Sequence, residues 1–423
     1  MSSAPPETEQ TEDRFAAFQH SAFKRYFWAR FLTASATQIV ATAVGWQIWK
    51  VTGNAWLLGL IGLVQFLPAL LLVLVTGLAA DKLGRRRVMG TAILLKMLCA
   101  LGILGLAVTQ HFDSVLVLSL LTLFGVARAF HTPASSSLVV NVVPKKDFAN
   151  AIGWITSSWQ LASIAGPAAG GLLYGISGPF AYGVAVVIFA ISAALIFSLE
   201  KPRQEMETAP TNWDTLVGGF RFILKEKVVL GAISLDLFAV LLGGAVALLP
   251  IYADEILNVG PWGLGMLRAA PGVGAIIMIA LLIRFPVRDH AGTILLISVG
   301  AFGAATTVFG MSNLAWLSIL ALALVGAFDM ISVYIREILL QLWTPDRVRG
   351  RVNSVNAIFL GASNELGEFR AGMMAAVWGA VFTVTAGGVA AMGIAALWRG
   401  LFHEMAKTRK LEAPDLSPDL NEK

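Results

Sequence analysis

Apolar residues in this chain run in blocks of about twenty, and polar residues gather in short gaps between them. A block of that length, wound as a helix, crosses the hydrocarbon of a bilayer. Twelve spans are read this way, at roughly 26–49, 57–80, 88–109, 115–142, 149–174, 179–199, 228–252, 262–283, 292–311, 315–341, 352–376 and 379–398. The fourth, fifth, tenth and eleventh are the least clear-cut. Gly and Pro interrupt many of the spans, which lipid tolerates where neighbouring helices or polar side chains satisfy the freed backbone groups. The expected fold is all-α, with twelve transmembrane helices. A tail at 1–25, a segment at 200–227 and a tail at 399–423 lie outside them and divide the chain into helical regions 26–199 and 228–398.

The 200–227 segment itself has two parts. Residues 200–210 are polar and Pro-containing, as a solvated linker would be. Then Trp213, Leu216, Val217, Phe220, Ile223 and Leu224 recur at helical spacing opposite Arg221 and Lys225. That pattern predicts an amphipathic helix on the membrane surface, or else a forward extension of the seventh span.

Composition and charge agree with the pattern. Hydrophobic residues make up 57% of the chain and charged residues 13%, against about 25% charged in soluble domains. The net charge of +5 does not point to nucleic acid, because of where the charges lie. Of the 31 Lys and Arg, 24 fall in the tails and in alternate gaps; the opposite gaps hold only Lys50, and six lie within spans. By the positive-inside rule both termini are cytoplasmic and the span number is even. The one cysteine, Cys99, sits in an apolar run, so no disulfide framework exists. The first 22 residues are polar and lack the pattern of a cleavable signal.

The two halves repeat. Gly125 precedes Arg128 and Pro144 just as Gly326 precedes Asp329 and Pro345, at a constant offset of 201, and Gly166 and Gly367 keep the same offset. Pro68 and Pro271 lie near it. Two pseudo-symmetric six-helix bundles in parallel orientation are therefore expected.

The most charged gap reads Gly77-Leu-Ala-Ala-Asp81-Lys82-Leu-Gly84-Arg85-Arg86-Arg87. It fits the loop signature G-x-x-x-D-R/K-x-G-R-R/K-R/K of the major facilitator superfamily at every defined position, and within a twelve-span pattern the chain resembles that superfamily throughout. The fifth span carries Gly166-Pro167-Ala-Ala-Gly170-Gly171, which resembles the superfamily's antiporter element G-P-x-x-G-G. The stretch Thr344-Pro345-Asp346-Arg347-Val348-Arg349-Gly350-Arg351-Val352 is similar to one found in the branch that contains the bacterial enterobactin exporter. The resemblance implies a secondary transporter of the bacterial inner membrane, monomeric, with protons as coupling ion and no other cofactor. It implies that Gly77, Asp81, Lys82, Gly84 and Arg85 to Arg87 form a cytoplasmic latch whose charge pairs hold the outward-facing state. It also implies that spans one, four, seven and ten line a central cavity. The plainer reading of the Arg residues is an anchor to anionic lipid, and that of the Gly-Pro element a static packing contact.

Ionisable residues inside spans are the candidate chemistry, because charge in hydrocarbon is costly unless paired or used. Arg128 and Asp329 are mates in the repeat and are expected to meet across the cavity or to share the substrate. Glu365 and Glu368, three residues apart, share a helix face and are expected to titrate jointly. Arg336, with Glu337 beside it, is the competing element: it is expected to pair with Glu365 or Glu368 and hold it charged. Asp236 is a further coupling candidate. Arg268 reads as a snorkelling residue. Gln38 and Thr42 are one turn apart and face either a substrate or a neighbouring helix. Gln47 is a candidate for helix-to-helix bonding, and Trp154 and Trp159 for stacking or packing.

The expected function is a proton-coupled antiporter that exports small amphipathic molecules such as siderophores or drugs by alternating access. Proton-coupled uptake is one alternative, and a non-transporting receptor or scaffold another. Enzyme classes find no footing. There is no metal-binding His/Glu helix, no Ser-His-Asp set and no phosphate loop of the G-x-x-x-x-G-K-S/T type. The five His, at 20, 111, 131, 290 and 403, are scattered. The expected partners are the lipid bilayer and a small substrate.

Overall fold

The computed structural model describes residues 14–72, 75, 76, 79, 82–200, 213–409 and 411. Among these every regular element is a helix. Twelve long ones follow in order: α1 Ser21–Thr52, α2 Ala55–Leu71, α3 Arg85–Val108, α4 Ser114–Val142, α5 Phe148–Ile176, α6 Gly178–Phe197, α7 Lys227–Ile256, α8 Gly260–Arg284, α9 Ala291–Met311, α10 Ala315–Leu342, α11 Asp346–Trp378 and α12 Ala380–Leu401. Local chemistry sets several boundaries. Gly53 ends α1 at φ +56°, a conformation that costs glycine little. The Asn54 side chain then accepts from Trp56 N–H and starts α2, as Asp113 does for α4 and Ser177 for α6. The chain thus reverses within a few residues between antiparallel neighbours.

Eight of the twelve helices are long and apolar enough to cross a bilayer by composition alone. The other four are α1, α2, α5 and α11. The shortfall has physical causes. Helix α1 carries Lys24, Arg25 and Arg30; α11 carries Glu365, Glu368 and Arg370; α5 is rich in Ser and Gly; the described part of α2 is short. These helices pack against each other and against α8, α5 on α1 and α8 and α2 on α11, so their polar faces meet protein rather than lipid.

The internal duplication is visible in where glycines permit backbones to touch. A Cβ on Gly125 of α4 would collide with the Gln65 backbone of α2, and one on Gly326 of α10 with the Pro271 backbone of α8. Gly166 of α5 abuts Ser35 and Gln38 of α1, while Gly367 of α11 abuts Val240 and Leu241 of α7. Corresponding glycines therefore bring corresponding helices together in both halves, a close approach that small residues allow in membranes.

The segment before α7 is a separate helix, Trp213–Lys225, not an extension of it; extended backbone at Glu226 divides the two. Ile223 is buried with Val229, Ile233, Val352 and Val355, and the Phe220 and Phe359 rings lie 6.3 Å apart. This helix is tied to the starts of α7 and α11.

Candidate functional site

A cavity of about 640 Å³ lies between the halves, within the size range of drug-sized ligand sites. Helix α1 presents Arg30, Thr37, Gln38 and Gly45 to it; α2 presents Leu58, Ile61 and Gly62; α4 presents Arg128, His131 and Ser135. Lys96 of α3, Trp159 and Pro167 of α5, Pro250 of α7, Arg268 and Gly272 of α8, and Glu365 and Glu368 of α11 complete much of the wall.

The halves are sealed at the end away from the chain termini. Gly171 of α5 lies against Pro261 and Gly265 of α8, and Gly59 of α2 against Gly372 of α11. Lys50 at the end of α1 bonds Asp254 of α7 at 2.9 Å and stands 5.8 Å over the Trp46 ring. From this seal the cavity runs toward the terminal end, reaching Arg30 near the start of α1 and Ser135 and Ser136 near the end of α4.

One ion pair crosses the cavity. Arg128 Nη1 donates to Glu365 Oε1 at 2.6 Å. Glu365 and Glu368 of α11 both face Gly62 of α2, where a Cβ would stand 2.9 Å from Glu365 Oε2 and 3.3 Å from Glu368 Oε2. The missing side chain there leaves room for two acids. Arg268 donates to the Ala41 carbonyl at 3.1 Å and lies within electrostatic reach of Glu368. It faces the cavity rather than snorkelling away.

Several expectations are corrected. Arg128 and Asp329 do not form the meeting pair: Arg128 pairs with Glu365, and Asp329 is absent from the cavity wall. Instead Asp329 borders a separate small space with Asp236 and Ser332 inside the C-terminal half. Arg336 pairs with Asp236 of α7, not with Glu365 or Glu368. Arg336 is 2% exposed and Asp236 6%. These three ionisable groups thus form a cluster outside the shared cavity, the arrangement that low dielectric demands when charges stay in the interior. Helix α10 supplies nothing to the cavity among the described residues; α2, α5, α8 and α11 replace it. The periodicity of α10 could not reveal which of its faces turns inward.

The polar residues of α1 separate by role. Gln38 faces the cavity. Thr42 donates to the Gln38 carbonyl, and Gln47 accepts from Tyr182 O–H at 2.5 Å, so both are used within the protein. Trp159 lines the cavity, while Trp154 packs among Phe15, Phe18 and Phe27. Lys96 and His131 were the residues hardest to single out from sequence. Their only signal was a basic side chain within a span, in an apolar run for Lys96 and three residues after Arg128 for His131.

The charged turn between α2 and α3 acts within one half where it is described. Arg85 donates to the Ser137 carbonyl at 3.0 Å and to Asn141 Oδ1 at 3.1 Å. Arg86 donates to the carbonyls of Phe197 and Leu199. Arg86 thereby satisfies carbonyls at the C-terminal end of α6, where the helix dipole also favours a cation, and Arg85 binds the last turns of α4. Gly84 takes φ +91° to begin α3. Lys82 and Arg87 are exposed. Gly77 and Asp81 lie outside the described residues. In the Gly-Pro element, Gly166 and Gly170 seat α5 on α1, whereas Gly171 and the Pro167 carbonyl touch α8 across the halves.

Comparison with known proteins agrees with this architecture. A family model described as transmembrane secretion effector matches residues 12–421. The enterobactin exporter EntS of Shigella boydii serotype 4 is 25% identical over 395 residues, 92% of this chain and 94% of the relative. That of Citrobacter koseri is 26% identical over 408 residues, 95% of each. Among solved structures, a bacterial homologue of the human lysosomal transporter Spinster, inward-facing and occupied, superposes with TM-score 0.69 at 15% identity, covering 94% of this chain and 98% of that one. The nucleoside transporter NupG gives 0.65 at 15% identity, covering 91% and 98%; both structures speak to fold alone. With its duplicated six-helix halves around a shared cavity, the chain belongs to the transmembrane secretion effector family, within the major facilitator superfamily of membrane transporters.

Proposed function

We propose that this protein exports small amphipathic molecules across the bacterial inner membrane in exchange for protons. The observation that carries the proposal is the Arg128–Glu365 pair, which joins the two halves across the wall of a drug-sized cavity. The excess of basic residues in the tails and alternate gaps makes the terminal end cytoplasmic. The seal at the other end then corresponds to an inward-facing state, ready to load substrate from the cytoplasm. Export is supported by likeness to exporters of enterobactin.

The geometry supplies a route for coupling. A carboxylate at Glu365 holds Arg128 across the gap. A proton delivered to Glu365 from the outer face removes that charge and releases the guanidinium. Glu368, one turn away, faces the same cavity and shares the site. The small-residue contacts of α5 with α8 and of α2 with α11 are the lines along which the halves part and rejoin. Substrate and proton occupy the cavity by turns, which is the requirement for exchange.

Everted membrane vesicles with an acidified lumen test the reading. Cells lacking their own exporters provide the membranes, and enterobactin and a set of dyes are the candidate cargo. Accumulation in the lumen with outward proton flow is expected, and Glu365→Gln should uncouple the two. Accumulation only in right-side-out vesicles would establish uptake in place of export.

A further inference from the structure

The charges of the cavity do not balance, and the surplus is confined to one side of it. Four Lys and Arg face the space and two acids do. Both acids are on α11. Glu365 is bonded to Arg128, and Glu368 is the carboxylate that offsets Arg268. Arg30 of α1 and Lys96 of α3 are left over. Arg30 donates to Tyr26 Oη at 3.3 Å and to Ser135 Oγ at 3.2 Å, both neutral. Lys96 is 4% exposed, and its Nζ stands 5.3 Å from the centre of the Phe124 ring. Among the described residues it meets no carboxylate and no hydrogen-bond acceptor. His131, one turn of α4 beyond Arg128, lies within electrostatic range of both Lys96 and Arg30, and its buried Nε2 has no partner.

A cation held in this way is costly, and a fold that needed only packing would place an apolar side chain there. Three polar nitrogen-bearing groups converge on the N-terminal wall of the cavity, with no carboxylate between them among the described residues. Apolar and aromatic side chains also line the cavity, Leu58, Ile61 and Trp159 from the same half and Pro250 from the other. We infer that Arg30, Lys96 and His131 form an oxyanion-binding subsite, and that the cargo is an amphipathic acid. Its carboxylate, phosphate or ionised phenolate docks on this subsite, and its apolar body lies against Trp159 and Pro250. The inference deepens the proposed export function and rests on it for direction, but the subsite itself does not depend on transport.

The site also explains why one cavity holds both an ion pair and a surplus of cations. An acidic cargo brought near Arg128 competes with Glu365 for the guanidinium. Loading therefore loosens the cross-half pair from one side, while protonation of Glu365 loosens it from the other.

Two xanthene dyes of similar shape and opposite charge separate the outcomes: 5-carboxyfluorescein, an anion, and rhodamine 123, a cation. Binding is read by fluorescence polarisation on the purified full chain in detergent, and transport by accumulation in everted vesicles. Carboxyfluorescein should bind and rhodamine 123 should not. Lys96→Gln should weaken carboxyfluorescein binding about tenfold or more, the loss expected for one charge-assisted contact, and Lys96→Arg should restore most of it. Arg30→Gln, with an unchanged melting curve, is the second variant and should act in the same direction. Binding of rhodamine 123 alone, binding of neither dye, or unchanged carboxyfluorescein affinity in both neutral variants would overturn the subsite. Binding of carboxyfluorescein without gradient-driven accumulation would instead sink the export reading and leave the subsite standing.

Discussion

Helices α4 and α10 occupy equivalent places in the two halves, yet they use charge in opposite ways. In α4, Arg128 and His131 face the shared cavity, and Arg128 reaches across it to the other half. In α10, Arg336 turns into its own half and pairs with Asp236 of α7, with Asp329 beside them. The backbone contacts correspond, as Gly125 on α2 and Gly326 on α8 show. The difference teaches that duplication fixes how close the helices come, while each half settles its own buried charges. Helix α4 turns its cations toward the shared cavity, and α10 turns its charges into its own half.

The sharpest way to break this comparison is through the glycines. Overpacking a core costs about 1–3 kcal/mol when side chains can move aside. At Gly125 and Gly326 the obstacle is backbone, so Gly125→Val and Gly326→Val should each exceed that range and abolish a monodisperse folded peak in size-exclusion chromatography. Equivalent contacts demand similar losses. If one variant folded normally, the halves would not share the packing described.

Next in size is the buried pair. Removing one partner of a buried ion pair costs about 3–5 kcal/mol, because the other charge is stranded. Arg336→Gln should therefore lower the melting temperature strongly, and the double variant with Asp236→Asn should recover much of the loss. Asp329 and Arg336 lie off the cavity wall, so Asp329→Asn should leave dye affinity unchanged. A drop in affinity in that variant would place Asp329 in the binding site after all.

The cross-half pair should show the reverse profile. The Arg128 side chain is 46% exposed and that of Glu365 13%, so this pair opens on the cavity and contributes less to stability than the buried pair, nearer the ~0.2–1 kcal/mol of wetted pairs. Glu365→Gln should thus melt close to the parent protein, yet in vesicles the proton gradient should no longer drive substrate accumulation. Loss of stability as large as that of Arg336→Gln would make Glu365 a structural residue.

Much of the frame was legible in the sequence because hydrophobic length and charge asymmetry are one-dimensional quantities. Twelve spans, a division near residue 200 and an offset of 201 could all be counted along the chain. The pairing of charges was not countable. Arg336 is far nearer in sequence to Glu365 than to Asp236, a hundred residues earlier, and nothing in its spacing says that it turns toward the more distant acid. Arg268 looked like a residue near a helix end, but α8 leans on α5 and brings it over Ala41. Lys96 sat in an apolar run with no pattern around it; only the convergence of α1, α3 and α4 gives it neighbours.

The smallest expected effect concerns the seal. Lys50 and Asp254 join the halves at the end away from the termini, with side chains 51% and 22% exposed. Such a pair offers about 0.2–1 kcal/mol, enough to shift a two-state balance by a few-fold but not to impose it. The closed end rests mainly on backbone contacts, Gly171 against Pro261 and Gly59 against Gly372, which no charge change removes. Lys50→Gln should therefore raise the population open at this end only modestly. Spin labels at Trp56 and Trp262, both exposed on that side, would report it as a minor increase in the long-distance component. Complete opening in Lys50→Gln would mean that the ion pair, rather than the small-residue contact, holds the two halves shut. The contrast between cheap surface charge and close backbone packing would then fail where it matters most for alternation.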